Sequence, residues 1–386
     1  MDPTAGIKDR PFWTARIRAA WAKRSVVWLS GVRRAGKTTL ARMLPDAVYV
    51  NCDLPSETRR LEDPELFFNA LPDGATVVFD EIHRLADPSR VLKIAADAYP
   101  HLKILATGSS TLAATRKFRD SLTGRKVALH LPPVLWTECQ GVFGIEDLDR
   151  RLLHGGLPEA LLSAEKDPAF FSEWVDSFYA RDIQELFAIR SRTGFLTLLR
   201  LLMRQSGGLL DYTSLAQLSG LSRPTVTAHI EAMAVAHAVC LLRPFHGGRR
   251  GELTRRPKCY AFDTGFVTFM RGWDRLREDD RGMLWEHLVL DVLRVGAGDR
   301  NLSFWRDSAG HEVDFVVRGS GQQAHAVECK ATPDRFDAKS LALFRQAYPD
   351  GENYVVCPGV LTPYERRYGD LLIRFCGASH LPWMSD

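Results

Sequence analysis

The stretch SVVWLSGVRRAGKTTLARML, residues 25–44, decides the fold. SVVWLS (25–30) is short, apolar and β-rich, and it reads as a buried strand. GVRRAGKT (31–38) follows at once and fits a glycine, four free positions and then Gly-Lys-Thr. TTLARML (38–44) opens a helix. This order wraps backbone N–H groups around phosphate, because glycine lets the chain approach closely and a helix N-terminus favours an anion. The whole loop is expected to line a nucleotide: Gly31, Val32, Arg33, Arg34, Ala35, Gly36, Lys37, Thr38 and Thr39. Lys37 is expected to reach the β- and γ-phosphates, and the Thr38 hydroxyl to complete a Mg2+ shell.

Downstream, ATVVFDE (75–81) is another apolar run, and it ends in adjacent carboxylates. Such a pair at a strand end is costly unless a cation or water compensates it. Asp80 is therefore expected to hold Mg2+, directly or through water, and Glu81 to polarise an attacking water. LKILATGSS (102–110) ends in hydroxyls, and Thr107 and Ser109 are expected to contact the γ-phosphate or that water. DSLTGRKV (120–127) offers Arg125 as an arginine finger for a neighbouring subunit. Together with AVYVNCD (47–53), these strands alternate with helical stretches. That alternation implies an α/β fold with a parallel, doubly wound sheet.

A chain of 386 residues exceeds one ordinary domain. Hydrophobic residues at 45% and charged ones at 25% are the balance of a soluble globular protein, which argues against disorder. No apolar run approaches the ~20 residues of a membrane span, so no membrane association is expected. MDPTAGIKDRPFW at the start lacks the apolar core of a secretory signal. The seven cysteines are odd in number, scattered and free of CxxC pairs, so a disulfide framework or zinc site is not expected and a reducing cytosol fits. The net charge of +4 is too mild to indicate a nucleic-acid partner, and its clustering matters more.

From 155 to 210 the pattern turns helical, as in FFSEWVDSFYARDIQELFAI (170–189). SLAQLSGLSRPTVTAHIEAMAV (214–235) then reads as helix–turn–helix. The first helix spans 214–218 and Gly220 lies in the turn. Ser222 caps the second helix, which has Pro224 in its first turn. Val226, Ile230 and Met233 make its buried stripe, and Arg223, Thr227 and Glu231 face outward. Two β-like stretches, VCLLRPF (239–245) and PKCYAFD (257–263), flank HGGRRGELTRR (246–256). Helix–turn–helix plus this hairpin reads as a winged helix. Arg223 and Thr227 on the second helix, with Arg249, Arg250, Arg255, Arg256 and Lys258 on the wing, are expected to meet DNA mainly through its phosphates.

The last block begins near 282 with the helix MLWEHLVLDVLR (283–294), which carries Glu286. The strands LSFWR, EVDFVVR and HAVECK follow, then the helix AKSLALFRQAY and the strands NYVVC and LLIRF. Residues two apart on a strand share a face, so Glu328 and Lys330 project together. A turn at 319–321 would bring Asp314 beside Glu328. Two carboxylates suit Mg2+ or Mn2+, a lysine next to them would activate a metal-bound water, and Glu286 would add a contact. This order resembles the PD-(D/E)XK nuclease core, with Val313 where the signature proline would stand.

GVRRAGKT, VVFDEIHRL, ILATGSS, SLTGR, GGLPEA (155–160), YARDIQEL (179–186) and PKCYAFDTG together resemble a bacterial and archaeal AAA+-type ATPase family. Members of that family fuse the ATPase to a C-terminal winged-helix and nuclease-like region. The resemblance implies an AAA+-type ATPase core at 1–150, a helical lid at 151–205, a winged helix at 206–270 and a restriction-endonuclease-like α/β domain at 278–386. It implies a homo-oligomer using ATP and Mg2+, with a second Mg2+ or Mn2+ in the C-terminal domain. The expected function is an ATPase that couples its cycle to remodelling or processing of DNA, branched DNA included. Two other readings stay open: an ATP-regulated DNA nuclease, and a nucleotide-dependent signalling switch that docks a protein partner.

Overall fold

The computed structural model of the chain describes residues 8–108, 116–184, 187, 189, 191–246 and 256–384. Five parallel strands organise the N-terminal third: β1 (Val26–Ser30), β2 (Val48–Asn51), β3 (Thr76–Asp80), β4 (Lys103–Thr107) and β5 (Lys126–His130). Their order is β2-β3-β4-β1-β5. β1 is buried along its whole length, as its unbroken apolar run requires. The four strands read from the sequence sit where expected. β5 escaped that reading because a lysine and a histidine bound only a short, half-buried KVALH. Since β4 lies between β1 and β3, the glycine-rich loop and the Asp80 strand end stand two strand spacings apart, about 10 Å.

The middle of the chain is helical and aromatic. Trp174 stacks on Phe178 and Phe262, and Phe171 stacks on Phe269. Helices Arg192–Arg204, Tyr212–Ser219 and Arg223–Val235 follow, with a small antiparallel sheet of order β6-β8-β7. Its strands are β6 (Gly208–Leu209), β7 (Val239–Leu242) and β8 (Lys258–Ala261). The helix expected at 214–218 begins earlier, at Tyr212, because the Asp211 carboxylate accepts the N–H groups of Thr213 and Ser214 at 3.0 Å. Gly220 ends it at a φ of 67°, and Ser222 caps the next helix by accepting the Thr225 N–H. Val226, Ile230 and Met233 are buried, as their spacing predicts.

The C-terminal part opens with helix Glu278–Gly296. Six strands follow in the order β13-β14-β12-β11-β10-β9. These are β9 (Leu302–Arg306), β10 (Glu312–Arg318), β11 (Ala324–Cys329), β12 (Asn353–Val356), β13 (Tyr364–Tyr368) and β14 (Leu371–Cys376). β9, β10 and β11 are antiparallel, whereas β12 runs parallel to β11 and β14. The β10–β11 register pairs Phe315 with Val327, so Asp314 comes opposite Glu328. The chain leaving β7 runs along β9, where the Phe245 N–H donates to the Phe304 carbonyl at 2.6 Å. Among the described residues, no helix is long and apolar enough to cross a membrane.

One apolar core is continuous through all of these regions. It runs from Trp13 and Leu29 through Trp174, Phe195 and Met233 to Trp285 and Phe315. Two further cores cover the far faces of the two large sheets. Two polar motifs lock the middle of this arrangement. The Asp263 carboxylate accepts the N–H of Gly156 at 2.6 Å and of Gly265 at 2.7 Å. Arg151, almost wholly buried, donates to the Val134 carbonyl and to the Thr264 hydroxyl. Burial pushes the Asp263 carboxyl up, against the opposing pull of Arg151 and these amides. GGLPEA and AFDTG, distant in sequence, are thus one docking site. It requires Gly155, which has a φ of 83° and whose added Cβ would lie 2.0 Å from the Asp263 carboxylate. We predict that Gly155→Ala lowers the unfolding free energy by about 3 kcal/mol, from backbone strain and overpacking combined. Urea denaturation checks this, and an unchanged midpoint would disprove it.

Candidate functional site

The glycine-rich loop closes over the carboxyl end of β1. Gly31 takes a φ of 149° and lies so near Leu131 that a Cβ would meet its carbonyl oxygen at 2.3 Å. Gly36, at a φ of 97°, starts helix Lys37–Arg42. The Lys37 ammonium folds back to donate to the carbonyls of Gly31 and Val32 at 2.8 and 2.9 Å. Burial lowers the Lys37 pKa, and Glu81, Asp182 and Asp80 oppose that fall. An anionic ligand would offer the ammonium the acceptors that the loop now provides.

Asp80 is the hub behind the loop. Its carboxylate accepts hydroxyl hydrogens from Thr38 at 2.9 Å, Tyr49 at 2.5 Å and Thr107 at 2.5 Å. These three donors come from the loop helix, β2 and β4, so one carboxylate ties together three elements around β3. Thr107 also accepts the Glu81 N–H at 3.1 Å. Thr107 is fully buried, so the expected contact with a phosphate is corrected: its hydroxyl is spent on Asp80 and Glu81. Strand β4 between β1 and β3 is what puts it there. Tyr49 escaped the sequence reading, since only the parallel pairing of β2 with β3 reveals its place.

Glu81 adopts a left-handed conformation, with φ 54° and ψ 43°, which is rare for a residue with a side chain. Its carboxylate lies 3.2 Å from His83 Nδ1. Burial pushes its pKa up, but His83 and Lys37 together hold it below the usual value. Ser109 lies outside the described residues. Arg125 lies at the amino end of β5, the opposite edge of the sheet from the loop, and pairs with Asp97 at 2.6 Å. It therefore takes no part in this chain's own cavity.

The cavity beside the loop has a volume of about 430 Å³, within the ~300–1,000 Å³ typical of small-molecule sites. One wall is the loop itself, with Lys37 and Thr38, and Glu81 adds a carboxylate. The facing wall is the helical segment, with Pro158, Phe178 and Arg181, and Ala236 at the end of the helix–turn–helix also reaches it. The loop arginines hold that wall. Arg33 pairs with Asp182 at 3.2 Å, Arg34 with Glu173 at 2.6 Å, and the Trp174 indole donates to the Arg33 carbonyl at 3.0 Å. Below the loop, Arg10 donates to Glu138 at 2.7 Å and to the Ala35 carbonyl at 3.3 Å. The sequence reading missed Arg10, Arg181 and Asp182, because nothing local marks them as neighbours of the loop. The donor set fits a divalent ion: the Thr38 hydroxyl and Asp80 carboxylate converge, and each is a hard oxygen ligand.

The other expected residues divide. On the helix–turn–helix, Arg223 is exposed, while the Thr227 hydroxyl donates to the Arg223 carbonyl of its own helix. Arg249, Arg250 and Arg255 lie outside the described residues. Arg256 is exposed and pairs with Asp211 at 3.1 Å. Lys258 is a correction: it is buried, with its ammonium 2.5 Å from Glu312 and 3.2 Å from Glu286. A strand residue facing the core cannot meet a phosphate. In the C-terminal part Lys330 reaches Glu328 at 2.7 Å and Asp314 at 3.8 Å, as the hairpin predicts. Glu286 instead turns to Lys258 and Tyr260. Among the described residues no group of three or more His, Cys, Asp or Glu has the geometry to hold a metal ion, so the expected four-residue metal site is not assembled.

Residues 23–140 match the family model described as an AAA domain. The fold and the loop site therefore define an AAA-type P-loop core in the N-terminal third. Residues 145–277 and 281–372 match two further models, each described as a domain of unknown function. The chain is 29% identical over 354 residues to the uncharacterized protein Rv2008c of Mycobacterium tuberculosis, covering 88% of this chain and 78% of that one. A Mycobacterium bovis protein, also uncharacterized, matches equally. Among solved structures, a RuvB of Thermotoga maritima superposes with a TM-score of 0.32 at 16% identity, covering 61% of this chain and 90% of that one. DnaA of Aquifex aeolicus gives 0.29 at 10% identity, covering 57% and 85%.

Removing the Thr107 hydroxyl would leave a buried carboxylate oxygen and a backbone N–H short of a partner. Thr107→Val is predicted to cost about 2 kcal/mol of stability, with Thr107→Ser retaining most of it. Denaturant unfolding of both variants tests this, and equal stability of Thr107→Val and wild type would refute it.

Proposed function

We propose that this chain is a Mg2+-dependent ATPase whose nucleotide cycle changes how its helix–turn–helix region and C-terminal part grip DNA. The observation that carries the reading is the wall of the cavity. Residues of the P-loop, of the helical segment and of the helix–turn–helix surround one space, so a nucleotide bound there would touch all three. Filling it would place phosphate oxygens against Lys37 and Arg33, and Arg33 would then have to share or leave Asp182.

In the proposed reaction a water oxygen bonds to the γ-phosphorus and the bond to the β–γ bridging oxygen breaks, giving ADP and phosphate. Glu81 orients that water and takes up its proton. Its lowered pKa makes it an ionised but weak base at neutral pH, so orientation is its larger part. Lys37 balances charge on the β- and γ-phosphates. Thr38 and Asp80 would hold Mg2+, which when bound neutralises charge on the phosphate oxygens. Thr107 and Tyr49 keep Asp80 aimed, and Arg34 with Glu173 anchors the loop to the helical wall. Arg125, held at the surface by Asp97, would serve the site of a neighbouring copy in a homo-oligomer.

The DNA part of the reading is supported by the order helix, strand, helix, helix, strand, strand in 192–261, which is the order a winged helix needs. Arg223 at the exposed start of the last helix and Arg256 beside the hairpin are the described basic contacts. Phosphate contact without base reading is the expected mode, since the outward face of that helix is poor in amide side chains.

The deciding experiment is steady-state ATP hydrolysis by the purified chain, alone and with duplex, single-stranded and four-way-junction DNA. Lys37→Ala and Glu81→Gln are each expected to reduce turnover at least ~100-fold, the first with loss of ATP binding and the second with ATP still bound. At least one DNA form is expected to stimulate the wild type. No hydrolysis under any condition would end the ATPase reading, and a rate indifferent to DNA would end the coupling. A separate titration of labelled DNA tests the grip. Arg223→Glu with Arg256→Glu is predicted to weaken binding ~10-fold or more across unrelated sequences and to flatten its salt dependence. Unchanged affinity would reassign this region to a protein partner.

A further inference from the structure

Four carboxylates gather where the small sheet meets the C-terminal one: Glu286 on helix Glu278–Gly296, Glu312 and Asp314 on β10, and Glu328 on β11. So many acids in a poorly solvated space need cations close by. Two ammonium groups supply the charge. Lys330 comes from the same part of the chain and takes Glu328 and Asp314. Lys258 comes from elsewhere, on β8 of the small sheet. Its ammonium lies 2.5 Å from Glu312 and 3.2 Å from Glu286, with the Phe304 ring 5.5 Å away. Tyr260, two residues on along the same strand, donates its hydroxyl to the Glu286 oxygen that Lys258 also contacts. Arg306 takes the other oxygen of Glu312 at 3.0 Å.

This arrangement disagrees with a divalent metal centre. A Mg2+ or Mn2+ ion needs carboxylate oxygens turned toward one point at about 2.1 Å. Here Glu286 and Glu312 turn to Lys258, while Asp314 accepts the Cys329 N–H at 2.7 Å and faces Lys330. One acceptor is left over. Oε1 of Glu328, whose side chain is 6% exposed, has no hydrogen-bond partner. The other oxygen of Glu328 accepts from Lys330 at 2.7 Å.

We propose that Lys258 is a resident cation that closes this carboxylate group: its ammonium holds the place of a divalent ion, so the residues as folded do not take Mg2+ or Mn2+. The inference is independent of the ATPase reading, since no residue of the P-loop enters it. Its consequence is a lock between two parts of the chain. β8 is hydrogen-bonded to β6 and β7, so the lysine ties the small sheet to helix Glu278–Gly296 and β10.

The test uses the full chain without nucleotide and counts bound Mn2+ by electron paramagnetic resonance. Wild type, Lys258→Met, Asp314→Asn and the double variant are compared, with folding verified by circular dichroism. Wild type and Asp314→Asn are expected to bind the same number of ions. Lys258→Met is expected to gain one site, which the double variant loses, and to show a rise in melting temperature with Mn2+ that wild type lacks. Lys258→Arg, which keeps the charge, is expected to behave as wild type. A wild-type site that depends on Asp314 would overturn the proposal, and so would a folded Lys258→Met with no added site. Should the methionine variant not fold, Lys258→Gln carries the same comparison, and the wild-type against Asp314→Asn count stands by itself.

Discussion

Asp80 is a carboxylate that the fold buries almost completely, and the N-terminal third is arranged around satisfying it. A buried charge needs donors, and no single neighbour in sequence can supply enough of them. The donors come from three directions: Thr38 from the loop helix, Tyr49 from β2 and Thr107 from β4. Each reaches one point, which joins β2, β4 and the P-loop helix to the end of β3. Lys37 donates to the carbonyls of its own loop.

The constraint recurs through the chain. Arg10 and Glu138 pair beneath the loop, Asp263 binds the amides of Gly156 and Gly265, and Lys258 neutralises Glu286 and Glu312. Every one of these buried groups finds a partner more than twenty residues away, apart from the Asp263 contact to Gly265. They join regions that a continuous apolar core would otherwise let slide, since hydrophobic contact is not directional. The polar pairs fix register, and the core supplies most of the favourable energy. Between the loop and the helical segment, Arg33 pairs with Asp182 and Arg34 with Glu173.

Much of this was legible beforehand. Apolar runs bounded by turns located four strands of the parallel sheet, and GVRRAGKT located the loop, because both depend on residues adjacent in sequence. The cap at Ser222, the buried stripe of Val226, Ile230 and Met233, and the approach of Asp314 to Glu328 were also local consequences of helix and hairpin geometry. The errors fall elsewhere. Lys258 lies in a basic stretch and reads as a wing residue, yet period two on β8 turns it inward with Tyr260, toward acids from two other segments. Thr107 reads as a phosphate ligand at a strand end, yet the order β2-β3-β4-β1-β5 places it behind Asp80. Strands β5, β6 and β13 were missed because they are short or polar, and their pairing is what makes them strands.

The sequence by itself determined the P-loop, the acidic end of β3, the helix–turn–helix and the helix–hairpin order of the C-terminal part. Each is written in a run of consecutive residues whose spacing and turn chemistry act over a few ångströms. Only the tertiary structure decided that Arg181 and Asp182 face the loop, that GGLPEA and AFDTG form one lock, and that a lysine from the small sheet neutralises the C-terminal carboxylates. These are long-range charge and hydrogen-bond pairings. They depend on which strands lie side by side and which face of each is buried, and no local pattern carries that information.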